Sequence, residues 1–267
     1  MDFDILLTIE NETERTAAFY NMSEEDERLT ATKARRVEFI TTVKYVEKYL
    51  SPGSKIIDIG AGTGVYSLYF AKQGHHVTAV ELAEGNIAAF KAKITPGLDI
   101  DLRQGNACDL SAFANDSFDV VLLFGPLYHI SNSTDRQKCL DEARRVCKPG
   151  GVIFFAYISN DMVILTQTFY YDTNYLKSGL YNHETFDLVD FPFVFHTVTE
   201  ARDELVNAGV ELLHEVAVDG VSELLADKIN EMDDESYTQY LRYHFYCCEK
   251  PEMLGRSNHL LFVGRNL

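Results

Sequence analysis

The sequence predicts an α/β fold, a doubly wound and mostly parallel sheet with helices on both faces. Three observations predict it. Short apolar runs ending near 59, 80, 124 and 157 read as strands buried on both faces. Stretches of helical period lie among them, as at 135–147, where Leu140, Ala143, Val146 and Cys147 fall on one face. A turn with glycine at alternate positions, Gly60, Gly62 and Gly64, closes the first run and lets the backbone bend tightly before a helix begins.

Along the chain, 11–22 and 29–50 carry helical period, and Ser51-Pro-Gly53 stops the second helix. Tyr20 stands at the end of the first. Lys33, Arg35 and Arg36 form the compact basic cluster of this region, read as a solvated helix face with a carboxylate contact as the alternative. The first strand ends in Ile56-Ile-Asp-Ile-Gly-Ala-Gly-Thr-Gly64. His75 and His76, read as surface residues, precede the second strand, Val77-Thr-Ala-Val80, and Glu81 stands at its carboxyl end. A doubly wound sheet brings Glu81 beside the glycine turn, where a carboxylate accepts hydrogen bonds from both hydroxyls of a ribose, so a nucleoside cofactor is expected. The third strand covers 99–103 and leads into Gln104-Gly-Asn-Ala107. The fourth ends at Phe124, and Gly125-Pro-Leu-Tyr-His129 follows it. Lys148-Pro-Gly-Gly151 stops the 135–147 helix before the strand Val152-Ile-Phe-Phe-Ala-Tyr157.

An aromatic segment comes next, with Phe169, Tyr170, Tyr171, Tyr175, Tyr181, Phe186, Phe191, Phe193 and Phe195. These rings could line a pocket that attracts cations and flat or apolar substrates, or build a small core of their own. A helix at 199–208 stopped by Gly209, a strand at 210–218, a helical region at 221–248 and a strand at 258–264 complete the chain. Tyr237, Tyr240, His244 and Cys248 share one face of the helical region and read as a buried stripe.

The cofactor class turns on Val65. A dinucleotide fingerprint asks for glycine there, so that a helix can approach a pyrophosphate, and Val65 fills that space. Gly60-Ala-Gly62-Thr-Gly64 with Glu81, Lys148-Pro-Gly-Gly151 and the order of the elements resemble the class I S-adenosylmethionine-dependent methyltransferases, closely over 54–157. The string Phe124-Gly-Pro-Leu-Tyr-His129 is similar to that of a bacterial subgroup. The resemblance implies a Rossmann-like, seven-stranded sheet whose last strand, 258–264, runs antiparallel at the sheet edge. It implies an N-terminal helical cover at 1–53, a cofactor core at 54–158, a lid or substrate insertion at 159–198, and the rest of the core at 199–267 with a helical insertion at about 221–250.

It further implies S-adenosyl-L-methionine as cofactor and S-adenosyl-L-homocysteine as product. The backbone of Gly60, Ala61 and Gly62, with Gly64 completing the turn, would cradle the amino-acid end, and Asp58 would anchor its amino group. Glu81 would take the ribose hydroxyls, and Leu82 would lie against adenine. Asn106, where an Asp is more usual, and Ala107 would close the adenine edge, with Phe124 also at the cofactor. Tyr20 would touch the methionine part or simply pack. Tyr128 and His129 lie where the family presents groups to the acceptor. A neutral His129 imidazole could remove a proton from a hydroxyl, amine or thiol, although a turn-capping histidine would look the same. Gly125-Pro-Leu-Tyr128 occupies the place of the Asn/Asp-Pro-Pro-Tyr/Phe motif of enzymes acting on planar nitrogens, so nucleobases and glutamine amides are not expected as acceptors.

At 267 residues the chain fits one α/β domain with additions. A formal charge of −17 disfavours nucleic acid as partner, and a small-molecule substrate is expected. The opening residues lack a secretory pattern and no apolar run reaches the length of a membrane span, so a cytoplasmic protein with no membrane contact is expected. Five cysteines without a Cys-x-x-Cys pair suggest neither a disulfide framework nor a zinc site, and His244 with Cys247 and Cys248 reads as incidental. No metal is expected. RNA methylation, a non-catalytic cofactor-binding scaffold and an NAD-dependent oxidoreductase are the competing readings. Oligomeric state does not follow from the sequence.

Overall fold

The computed structural model describes residues 6, 8–22, 28–190 and 192–267. Helices α1 (Glu12–Met22) and α2 (Lys33–Glu47) precede the sheet, and Thr32 caps α2 by accepting from the Arg35 amide. The core then alternates β1 (Lys55–Ile59), α3 (Val65–Lys72), β2 (His76–Glu81), α4 (Glu84–Lys93), β3 (Ile100–Gln104), β4 (Phe118–Leu123), α5 (Ser133–Val146) and β5 (Cys147–Ser159). After α6 (Asn160–Thr166) and the aromatic segment come β6 (Phe195–His196), α7 (Val198–Asn207), β7 (Glu211–Ala217), α8 (Ala226–Asn230), α9 (Asp234–Cys247), α10 (Pro251–Leu254) and β8 (His259–Arg265).

The strands lie in the order β3-β2-β1-β4-β5-β8-β7. The first five are parallel, and β8 runs antiparallel between β5 and β7. The last strand is antiparallel as expected, but it lies inside the sheet between β5 and β7 rather than at its edge. Among the described residues the sheet has an eighth strand, β6, which pairs Phe195 with Ile158 and His196 with Ser159 at the end of β5. Two residues are too few to show alternation in sequence, so the insertion's return to the sheet was not legible there.

Alternation along the strands divides the core into two layers. Ile57, Ile59, Val121, Leu123, Ile153, Phe155 and Phe262 face one side, while Ile56, Val120, Leu122, Phe154, Leu261 and Val263 face the other. Both layers are closed by helices, which is why the central strands read as unbroken apolar runs. Lys148-Pro-Gly-Gly151 does not separate helix from strand as expected. It is absorbed into β5 as a bulge, because Phe118 pairs with Cys147 but Val120 pairs with Val152. Asn266 clamps this bulge, its side-chain amide donating to the carbonyls of Arg144 and Cys147.

Two smaller expectations are corrected. His75 is buried rather than exposed, set against Phe70, while His76 pairs with Asp99 at 2.8 Å. The helical region at 221–248 is divided, since Asp233 starts a new helix by accepting from the Ser236 amide. The stripe on α9 is nevertheless inward-facing, with Tyr237, His244 and Cys248 buried.

Candidate active site

A cleft of about 450 Å³ opens at the carboxyl ends of β1, β2 and β4, where the strand order reverses. The sequence-selected residues Tyr20, Asp58, Gly60, Ala61, Gly62, Glu81, Leu82, Asn106, Ala107, Phe124, Tyr128 and His129 all line it. Gly64 does not. It is the left-handed residue that starts α3 (φ +84°), and a Cβ there would lie 2.4 Å from the Phe90 ring, so its glycine is required by packing. At Gly60 (φ +76°) a Cβ would approach Pro126 to 2.8 Å, which ties the glycine turn to the loop after β4.

Glu81 holds that turn in shape. Its Oε2 accepts from the Gly62 amide at 2.8 Å, and its Oε1 accepts from the Ala83 amide at 2.9 Å and from the Asn86 side chain at 3.2 Å. A carboxylate has about four acceptor positions, so one remains toward the cleft, on Oε2. Asp58 lies deeper, only 2 % exposed. Burial pushes its carboxyl up to about 7. The hydroxyl of Ser67, donating to Oδ2 at 2.7 Å, works against that rise, and the neighbouring Glu81 adds to it. A cationic group in the cleft would stabilise the Asp58 carboxylate. Asn106 turns its Oδ1 onto the Cys108 amide, which leaves its amide nitrogen as the group it can offer a ligand.

Tyr20 and His129, 109 residues apart, meet above the turn, with Tyr20 Oη 2.5 Å from His129 Nε2. The other ring nitrogen, Nδ1, lies 3.3 Å from the Pro192 carbonyl, which can only accept. Nδ1 therefore carries the hydrogen, and Nε2 accepts from the Tyr20 hydroxyl. Burial lowers the His129 pKa to about 4, with the Pro192 contact opposing, so the imidazole is neutral near pH 7. Phe193 packs on the His129 and Tyr128 rings at centroid distances of 5.1 and 6.2 Å.

A second cavity, of about 580 Å³, shares Tyr20, Arg28 and Tyr128 with the cleft. Tyr170, Tyr171, Phe193 and Phe195 line it, whereas Tyr175 and Tyr181 form a small core with Leu188, and Phe169 and Phe186 are exposed. The aromatic segment thus does both things considered for it. Phe191 lies outside the described residues.

Residues 57–155 match the family described as a methyltransferase domain. Those residues form a methyltransferase domain. A ubiquinone biosynthesis O-methyltransferase from Stutzerimonas stutzeri is 32% identical over 121 residues, 45% of this chain and 51% of that protein. A demethylmenaquinone methyltransferase from Clavibacter sepedonicus is 35% identical over 119 residues, 44% of this chain and 46% of that protein. The chain thus spans about half the length of these curated relatives. An S-adenosylmethionine-dependent methyltransferase structure from Methanosarcina mazei superposes with a TM-score of 0.54 at 20% identity, covering 84% of this chain and 97% of that one, a likeness of fold.

Within the methyltransferase domain, sequence reasoning missed Ser67 and Asn86, the partners of Asp58 and Glu81. Asn86 could have been found, five residues beyond Glu81 on a helix whose start faces the same turn. The Tyr20–His129 contact and the entry of Arg28 carry no sequence signal, because they depend on how the cover packs. The basic cluster is divided: Lys33 pairs with Asp234 at 2.9 Å, and Arg35 reaches the wall of the second cavity. Glu38, Asp219 and His259 lie close enough to hold a metal. However, His259 pairs with Asp219 at 2.8 Å and Glu38 takes Arg28 at 2.9 Å. Burial disfavours the charged imidazole, but the two carboxylates outweigh it and raise His259 to about 9, which favours an ion pair over metal ligation. No helix among the described residues is long and apolar enough to cross a membrane.

Proposed function

We propose that this chain transfers the methyl group of S-adenosylmethionine to a nucleophilic oxygen, nitrogen or sulfur of a small molecule, releasing S-adenosylhomocysteine. One observation carries this reading: a cleft built around Glu81 and Asp58 meets a second cavity at Tyr20 and Tyr128. That arrangement suits a nucleoside cofactor on one side and an acceptor on the other. When bound, the cofactor supplies an electrophilic methyl on a sulfonium whose departure leaves a neutral thioether. The protein's work is chiefly alignment, and positioning can contribute several kcal/mol.

Glu81 would fix the ribose, and Asp58 the amino group directly or through water. The backbone from Gly60 to Gly62 would receive the amino-acid end, Leu82 and Phe124 would flank the nucleoside, and Asn106 and Ala107 would meet the adenine edge. Tyr20 and Tyr128 would border the reacting atoms. An acceptor O–H, N–H or S–H can donate to the Tyr20 oxygen while the Tyr20 hydroxyl donates to His129 Nε2. Protonating His129 at neutral pH costs about 4 kcal/mol, given its pKa of about 4. It is thus a poor base for a resting acceptor. It becomes adequate once bond formation to the methyl has made the acceptor's proton strongly acidic, when that proton passes to Tyr20 and the Tyr20 proton to His129.

The relatives' names refer to quinones, but their similarity covers the cofactor half of this chain, and their acceptors are not transferred here. The test is methyl transfer from labelled S-adenosylmethionine to a panel of small phenols, amines and thiols, with Tyr20→Phe beside the wild type. Turnover by the wild type, reduced in the variant at unchanged cofactor affinity, is expected. Cofactor binding without turnover on any acceptor class would favour the scaffold reading.

A further inference from the structure

The second cavity carries a pattern of charge that the methyl-transfer reading does not use. Its wall holds three carboxylates and three cationic side chains. Four of the six cancel within the wall. Arg28 grips Glu38 through two hydrogen bonds, at 2.9 and 3.2 Å, and His259 pairs with Asp219 at 2.8 Å, where Ser257 and the His259 amide hold the other carboxylate oxygen. Arg35 is exposed and forms no ion pair with Glu223, although its charge is felt at Tyr171. Glu223 remains.

Glu223 is half-buried, and both its oxygens are held by neutral donors. Oε1 accepts from the Tyr171 hydroxyl at 2.8 Å, and Oε2 accepts from the Asn258 amide at 2.6 Å. Asn258 is itself buried and fixed from behind, its carbonyl oxygen accepting from the buried Thr166 hydroxyl at 3.1 Å. Thr166, Asn258 and Glu223 come from the end of α6, the start of β8 and the loop after β7, three separate elements converging on one carboxylate. Among the described residues no cation pairs with Glu223, although a half-buried carboxylate gains from one. The rings of Tyr170 and Tyr171 stand in the same wall, and aromatic faces attract cations.

We propose that the acceptor carries a cationic group, an ammonium or a like organic cation, that binds Glu223 at a point remote from its reacting nucleophile. Different residues of the cavity divide the tasks. Tyr20 and Tyr128, shared with the cofactor cleft, receive the nucleophile, while Glu223, absent from that cleft, receives the cation. The division is chemically necessary, because a nitrogen kept protonated by a carboxylate has no lone pair for attack. An anionic acceptor would meet the Glu223 carboxylate, and a long hydrocarbon tail would have to desolvate two ion pairs.

This inference rests on the acceptor reading of the cavity, and the test separates the two. Purified protein is first titrated calorimetrically with S-adenosylhomocysteine. The saturated complex is then titrated with tyramine, para-ethylphenol and para-hydroxyphenylacetate, which share a phenol and differ in the remote charge. Tyramine is expected to bind at least about tenfold more tightly than either. Glu223→Gln should remove that preference while retaining S-adenosylhomocysteine affinity, and the exposed Glu252→Gln should change neither. If S-adenosylhomocysteine fails to bind, the methyltransferase reading itself fails. If it binds and tyramine shows no preference, or does not bind, or keeps its preference in Glu223→Gln, the cation assignment is overturned.

Discussion

Replacing Glu81 tests the proposed cofactor cleft at the point where its geometry is best defined. The carboxylate accepts three internal hydrogen bonds, from the Gly62 and Ala83 amides and from Asn86, and has an acceptor position left toward the cleft. In Glu81→Ala the bond expected from a ribose hydroxyl to that position vanishes. At up to about 3 kcal/mol for a hydrogen bond to a charged group, the loss is up to about a hundredfold in the dissociation constant of S-adenosylhomocysteine. The Gly62 amide also loses its acceptor, so the turn loosens and stability falls by about 1 kcal/mol or more. Glu81→Gln should fall between. Its amide oxygen can satisfy Ala83 and Asn86, but its NH2 group then faces the Gly62 N–H, leaving one donor opposed and no negative charge. About a tenfold loss of affinity is expected. Titration calorimetry with S-adenosylhomocysteine, with thermal denaturation alongside, reads both effects. Wild-type affinity in Glu81→Ala would refute the ribose assignment, and equal losses in Gln and Ala would refute the hydrogen-bond account of the turn.

Other outcomes follow from the same geometry. Tyr20→Phe removes the donor to His129 and should lower turnover by about tenfold or more with cofactor affinity unchanged, and a wild-type rate would remove Tyr20 from proton transfer. Asp58 has a folded value of about 7, above its ordinary 3.8, so its contribution to stability is complete below about 3.8 and is lost as pH rises through about 7. Its carboxylate is the form that binds an ammonium, so S-adenosylhomocysteine should bind more tightly at pH 8 than at pH 6, with proton release near 7. Calorimetry in buffers of different ionisation enthalpy that detects no proton release would contradict this. His129, held down at about 4, contributes stability above about 6.5 that is lost as pH falls toward 4, which acid denaturation of His129→Gln against wild type would show as a weaker pH dependence. Gly64→Ala drives a Cβ to 2.4 Å from the Phe90 ring and should destabilise by about 2 kcal/mol or more. Gly53→Ala, also at positive φ but facing open space, should lose only about 1 kcal/mol.

The strands and the glycine turn were legible because their signals are local. Burial on both faces makes β1 and β4 continuous apolar runs, and Glu81 is placed by sheet topology once β2 is recognised. What escaped the sequence depends on packing between distant segments. His129 was visible as a candidate base, but its low pKa and its bond to Tyr20 come from α1 closing over the loop after β4. The bulge at Lys148-Pro-Gly-Gly151 read as a helix-to-strand turn because proline and glycine mark breaks, whereas the clamp by Asn266, more than one hundred residues away, holds it inside the sheet. Nothing local in the sequence singles out Glu223, because Asn258 and Tyr171 converge on it only in the fold.

The central claim is that the cleft around Glu81 and Asp58 binds S-adenosylmethionine, and calorimetric titration with S-adenosylmethionine, S-adenosylhomocysteine and NAD side by side tests it most directly. Saturable binding of the first two with no heat from NAD is predicted, since Val65 stands where the dinucleotide fingerprint has its third glycine. Binding of NAD, or of none of the three, would contradict it.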